Sequence, residues 1–124
     1  MSTRTLQKHF RRTPGSVAEA RHLAVRFLND QPLAVRESVE LAVSELATNA
    51  VRHARTDFDL EVHVVDRNVR VQIADQSHGE PEIQGHSISE SNGRGLQIVR
   101  RLSDRFGIDW DPGDGKTIWF EING

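Results

Sequence analysis

The sequence predicts a two-layer α/β sandwich (α+β) in which helices cover one face of a mixed, mostly antiparallel sheet. Three observations predict it. Two helical periodicities come first, between residues 17 and 54. Period-two alternation follows in two pairs of segments, 60–64 with 69–73 and 106–110 with 118–122, each pair joined by a tight turn. A third helical segment opens at Gly93, between the pairs. Strands that arrive as hairpins favour antiparallel neighbours over a doubly wound parallel sheet, and strict alternation implies one buried face and one wet face.

Each element has its own justification. Residues 1–12 carry Arg4, Lys8, Arg11 and Arg12 and no acid, which reads as a solvated tail or a short edge strand. Leu6 and Phe10 are the residues that could tie this segment to a sheet. Thr13-Pro14-Gly15-Ser16 is a turn, and Ser16 stands three residues before Glu19, the spacing of a capping box. Val17, Ala20, Ala24, Phe27 and Leu28 then repeat at helical spacing, predicting a helix over 17–28. Pro32 disfavours helix at Gln31 and separates it from a second helix over 33–54. There Val35, Val39, Ala42, Leu46 and Ala50 form a stripe that Val43 and Val51 widen, as in a helix lying flat on a sheet. Leu60, Val62 and Val64 alternate with polar residues, Asp66-Arg67-Asn68 turns the chain, and Val69, Val71 and Ile73 alternate back to Asp75. Residues 76–92 form a long polar loop. Leu96, Val99 and Leu102 mark one face of the third helix. Phe106, Ile108 and Trp110 pair with Ile118, Phe120 and Ile122 across the turn 111–115.

Composition narrows the class. A chain of 124 residues fits one domain, with 1–15 as tail or edge strand and 16–124 as its body. Sixteen Lys plus Arg against 18 Asp plus Glu give a net charge of −2, too balanced for a protein that neutralises nucleic-acid backbones. There is no cysteine, so disulfides, thiolate metal sites and cysteine nucleophiles are excluded. No apolar run approaches the roughly 20 residues of a membrane span, and Met1–Arg12 lacks the apolar stretch of a secretory signal. The expectation is a cytoplasmic globular protein without a nucleic-acid or membrane partner.

Three polar features interrupt these patterns. Glu45 and Asn49 are four apart on the second helix and share a face that borders the apolar stripe. They read either as the edge of a pocket or as two polar residues on a helix rim. Asp75 ends an apolar strand and is followed by Gln76-Ser77-His78-Gly79. It could accept a hydrogen bond from a ligand amino group, or bond its own backbone two residues on. Gly93-Arg94-Gly95-Leu96 opens a helix, where backbone N–H groups and the dipole favour an anion, although a flexible entry loop would have the same composition.

In order and spacing these segments resemble the ATP-binding boxes of the GHKL superfamily, the Bergerat-fold ATPases of gyrase, heat-shock chaperones, histidine kinases and mismatch repair. They are most similar to the compact anti-sigma serine kinases of the RsbW and SpoIIAB type. Residues 45–54, ELATNAVRHA, resemble the N box; Asp75 to Gly79 the first glycine box; residues 92–99, NGRGLQIV, the second; and Gly115 to Phe120, GKTIWF, the closing strand. The resemblance runs from about residue 16 to the end. It implies that Asn49 supplies an oxygen to Mg²⁺ on the phosphates of ATP or ADP, a hard ion that usually takes few protein ligands. It implies that Asp75 takes the adenine amino group, that Gly79 passes close to the base, and that Thr117 holds Asp75 or an ordered water there. Gly93, Arg94, Gly95 and Leu96 would wrap the phosphates, and 80–92 would be the ATP lid. Glu45 would orient or deprotonate the attacking hydroxyl, a serine of a STAS-domain anti-anti-sigma protein. The same family sequesters a sigma factor and forms a homodimer that presents its first helix, where Arg21 is the basic residue singled out.

Two departures stand out against the family pattern. Ser77 replaces a glycine of the first glycine box, and no Lys or Arg lies between residues 76 and 93. Both bear on kinase rate and nucleotide affinity and suggest a second reading, a partner-binding module of the same fold with weak or no use of nucleotide. A detached histidine-kinase catalytic domain ranks third, since nothing resembles a dimerisation helix with a phospho-acceptor histidine. The histidines at 9, 22, 53, 63, 78 and 86 have no metal-site spacing. His53 lies at the end of the second helix, where a cation favours the dipole, and His78, in the first glycine box, could touch nucleotide.

Overall fold

Five strands form one sheet in the computed structural model, which describes residues 3–77, 93–111, 113 and 115–123. They are β1 (Thr3–Phe10), β2 (Phe58–Val65), β3 (Asn68–Asp75), β4 (Arg105–Asp111) and β5 (Gly115–Asn123), in the order β1-β2-β3-β5-β4. Every neighbouring pair is antiparallel, so the mixed component of the expectation is absent among the described strands. β3 and β4 do run the same way, but β5 lies between them and pairs with both.

The α-helices among the described residues are α1 (Pro14–Phe27), α2 (Leu33–Thr48) and α3 (Gly93–Leu102). The core is built as the stripes foretold. Ala20, Ala24 and Leu28 from the α1 segment, and Val39, Val43 and Leu46 from α2, are buried with Val62, Val71, Ile73 and Phe120 from the strands. No helix among the described residues is long and apolar enough to cross a membrane.

α1 begins three residues before the predicted start, at Pro14, whose fixed φ suits the first helical position. The capping box does not form. Thr13 is the N-cap and has no side-chain cap bond, while Ser16 lies inside the first turn and its Oγ donates to the Arg11 carbonyl at 2.7 Å.

Residues 3–10 are an edge strand. Phe10 lies opposite Phe58, and their rings stack with centroids 5.2 Å apart. Arg4 donates to Asp30 at 2.7 Å and to the Phe27 carbonyl at 3.3 Å, with its guanidinium over the Phe27 ring, so β1 is tied to the end of α1.

A clamp closes the other end of β1. His9 Nδ1 meets Asp59 Oδ1 at 2.8 Å and Nε2 meets Asp57 Oδ2 at 3.3 Å, while the Arg12 N–H donates to Asp57 Oδ1 at 2.8 Å. The hydrogen bonds to Asp59 and then Asp57 raise the His9 pKa above its ordinary 6.5. The Arg12 N–H is the first cause that lowers that of Asp57. A raised histidine pKa stabilises the fold fully below the unfolded value, and that contribution is lost as pH rises through the folded pKa. The His9 ring should therefore titrate above 6.5 by NMR, with exchange protection of β1 amides falling across the same midpoint. An unshifted His9, or β1 protection indifferent to its titration, would contradict the clamp.

Candidate functional site

Two contacts organise the predicted polar residues: the start of α3 lies against Glu45 of α2, and the start of β5 lies against Asp75 at the end of β3. α2 does not stop at Thr48. It continues through a wider π-helical turn over Asn49–Ala54, which Arg55 ends in the left-handed conformation at φ 60°. The expected helix over 33–54 is thus continuous in direction but changes its winding at Asn49. Such single π turns often occur at functional positions. Asn49 is buried at 7% exposure, and Glu45, one turn earlier, is half-buried.

α3 opens against Glu45. A side-chain carbon placed on Gly95 would lie 2.8 Å from Glu45 Oε2, so with glycine there the carboxylate can rest against the start of the helix. Gly93, Arg94, Gly95 and Leu96 are the first four residues of α3, whose N–H groups have no acceptor within the helix. The Leu96 side chain is buried in the core at 8% exposure, which leaves its backbone as the part that can face a ligand. The Arg94 side chain, Gly79, His78 and the predicted lid over 80–92 lie outside the described residues.

Asp75 ends β3 on the helix-covered face with 4% exposure. Its Oδ1 accepts from the Ser77 N–H at 2.9 Å, the turn bond that the sequence left open as an alternative. Its Oδ2 accepts from Lys116 Nζ at 2.5 Å. Lys116 stands directly opposite Asp75 in the β3–β5 register. Thr117, expected beside Asp75, is instead opposite Ala74 and Asp109. Side chains alternate along a strand, so Thr117 belongs to the other face, and its expected contact with Asp75 is replaced by that of Lys116.

Two residues not singled out in the sequence hold this corner. Thr56 Oγ1 accepts from the Gln76 N–H at 3.0 Å and donates to the Asp57 carbonyl at 2.8 Å, strapping the end of β3 to the segment after α2. Gly115, at φ +101°, brings the backbone of β5 against that of Asp75. Burial, then the charges of Arg52 and Lys116, lower the pKa of His53 and favour its neutral ring.

Arg21 is half-buried on α1, and its Nη1 donates at 3.4 Å to Oγ of Ser44, the residue before Glu45 on α2.

No group of three or more His, Asp or Glu among the described residues is arranged to hold a metal by itself. The donor set instead suits an ion that takes most of its ligands from phosphate and water. Asn49 offers a neutral amide oxygen, Glu45 a carboxylate one turn away, and the α3 start free N–H groups for anionic oxygens.

A family model described as a histidine kinase-like ATPase domain matches residues 10–122. Among solved structures, the RsbU and RsbW domains of Rv1364c from Mycobacterium tuberculosis match with a TM-score of 0.75 at 18% identity. The match covers 97% of this chain and 32% of that one, so the chain spans about a third of its length. No curated protein matches the chain in sequence.

Proposed function

The chain belongs to the histidine kinase-like ATPase domain family, and from that premise we propose that it is a cytoplasmic, ATP-binding anti-sigma regulatory factor. Its activity would be serine/threonine kinase action on a STAS-domain anti-anti-sigma protein, and as a homodimer it would also hold a sigma factor. The observation that carries this reading is the seating of the α3 start on Glu45, with buried Asn49 one turn further along α2. In this reading, free backbone donors, an amide oxygen and a carboxylate surround one space.

In this reading the N–H groups opening α3 bind the terminal phosphates, and Asn49 holds Mg²⁺ on them. Mg²⁺, when bound, supplies charge neutralisation for the phosphoryl oxygens. Glu45 orients the incoming serine hydroxyl and takes its proton. Asp75 marks the end of the pocket that faces the base. Arg21 contributes to the partner surface near the α1–α2 seam. The similarity of fold to a structure of RsbU and RsbW domains supports the class of pathway. Sigma factor, STAS protein and dimer belong to the proposal.

A second reading, a partner-binding module with weak nucleotide use, is favoured by one observation. Asp75 already carries an ammonium group on its inner face.

Calorimetric titration of ATP and ADP, with and without Mg²⁺, tests the first reading. Binding should depend on Mg²⁺, and Asn49→Ala should weaken Mg-ATP by about tenfold or more with little change in melting temperature. Wild-type affinity in that variant would remove Asn49 from the metal site. No binding at millimolar nucleotide would leave the partner-binding module.

A further inference from the structure

Asp75 has no oxygen left without a partner. The Ser77 N–H donates to Oδ1 and the Lys116 ammonium to Oδ2, at 2.9 and 2.5 Å. Both members of the ion pair are withdrawn from water, with side-chain exposures of 3% for Asp75 and 11% for Lys116. The ammonium also reaches Ser77 Oγ at 3.5 Å and lies 5.6 Å from the centre of the Trp110 ring, so several groups hold it in place.

We propose that Lys116 sets the base specificity of the nucleotide pocket by occupying, on Asp75, the place of a base amino group. This inference rests on the nucleotide-binding reading above. An exocyclic amine is neutral and offers the carboxylate one hydrogen bond. The ammonium offers a hydrogen bond and a full opposite charge in a site shielded from water, where such pairs are strongest. Displacing it would leave the buried Asp75 carboxylate without an opposite charge. The amine therefore loses the competition, and the chain binds the phosphate end of a purine nucleotide without reading its 6-amino group. Lys116 pairs with Asp75 and is not among the groups assigned to the phosphates or to phosphoryl transfer, so the effect of its removal on nucleotide preference is read at the base.

The test compares Mg-ATP with the Mg complex of purine riboside triphosphate, which lacks only the 6-amino group. Both are titrated into wild type, Lys116→Thr and Lys116→Met. Thr is a β-branched residue suited to a strand. Met keeps the aliphatic stem, so it covers loss of folding in the Thr variant, and circular dichroism reports folding of both. Wild type should bind the two nucleotides equally. The folded variants should bind ATP roughly tenfold to a hundredfold more tightly than the analogue, the value of a hydrogen bond to a charged acceptor. A wild-type preference for ATP of that size would overturn the inference and leave the nucleotide site standing. So would variants that bind both triphosphates without preference. Failure of all three proteins to bind either triphosphate would overturn the inference together with the nucleotide reading, and that pattern differs from the other two.

Discussion

Gly115→Ala should cost about 3 kcal/mol of stability and lower the melting temperature by roughly 10 °C. Two penalties coincide there. The residue sits at φ +101°, where an L side chain is strained. A Cβ would also overlap the carbonyl oxygen of Asp75 and come within 2.9 Å of the Asp75 carbonyl carbon and Gln76 Cα. All of these are backbone atoms, so no rotamer change relieves the overlap and β3 must move away from β5. Gly113 is the internal control. It has φ +86° but open space around its missing side chain, so Gly113→Ala carries only the conformational penalty of about 1 kcal/mol. Thermal or urea unfolding of the two variants separates clash from strain. Equal destabilisation would mean that the close approach to Asp75 contributes nothing.

The same corner shows what was legible in the sequence. The hairpins and helices were, because apolar residues repeat at a period of two or near 3.6 and bury one face. β1 was half legible. Its inward positions are Arg4, Leu6, Lys8 and Phe10, and two cations among them hide the alternation that their aliphatic stems preserve. The start of α1 was misplaced because two start signals compete, and Pro14 at the first helical position prevailed over Ser16 as a cap.

Of the candidate site, Glu45 was readable as a polar residue on a helical face and Gly93 to Gly95 as a glycine-rich helix start, but their meeting was not. Asp75 was readable as an acid ending an apolar strand. Lys116 was missed, although parity points to it. Ile118, Phe120 and Ile122 face inward, so the same alternation puts residue 116, not 117, on the face of Asp75. The Thr56 strap left no local signal, since it depends on where a distant segment arrives. Thr56 Oγ1 binds the Gln76 N–H, twenty residues further on.

Glu45→Gln should separate binding from chemistry more sharply than any other substitution at this site. The side chain keeps its shape, so its packing against Gly95 and the rest of α2 is preserved. What changes is charge. A carboxylate beside the start of α3 interacts favourably with the helix dipole, so the loss of stability should stay below about 1 kcal/mol. The same carboxylate competes with incoming phosphate for the same positive end of the helix, and its negative charge repels that phosphate. Removing it should tighten nucleotide binding a few-fold. Phosphoryl transfer to the serine acceptor should fall by about 10²–10⁴, the usual loss when a positioned general base is removed. The opposite signs are the diagnostic, because a merely damaged pocket would weaken both. The measurements are nucleotide titration and single-turnover transfer of labelled phosphate to a STAS-domain substrate. An unchanged transfer rate would take Glu45 out of the mechanism. A parallel loss of binding and transfer would make it a structural support for the start of α3 instead.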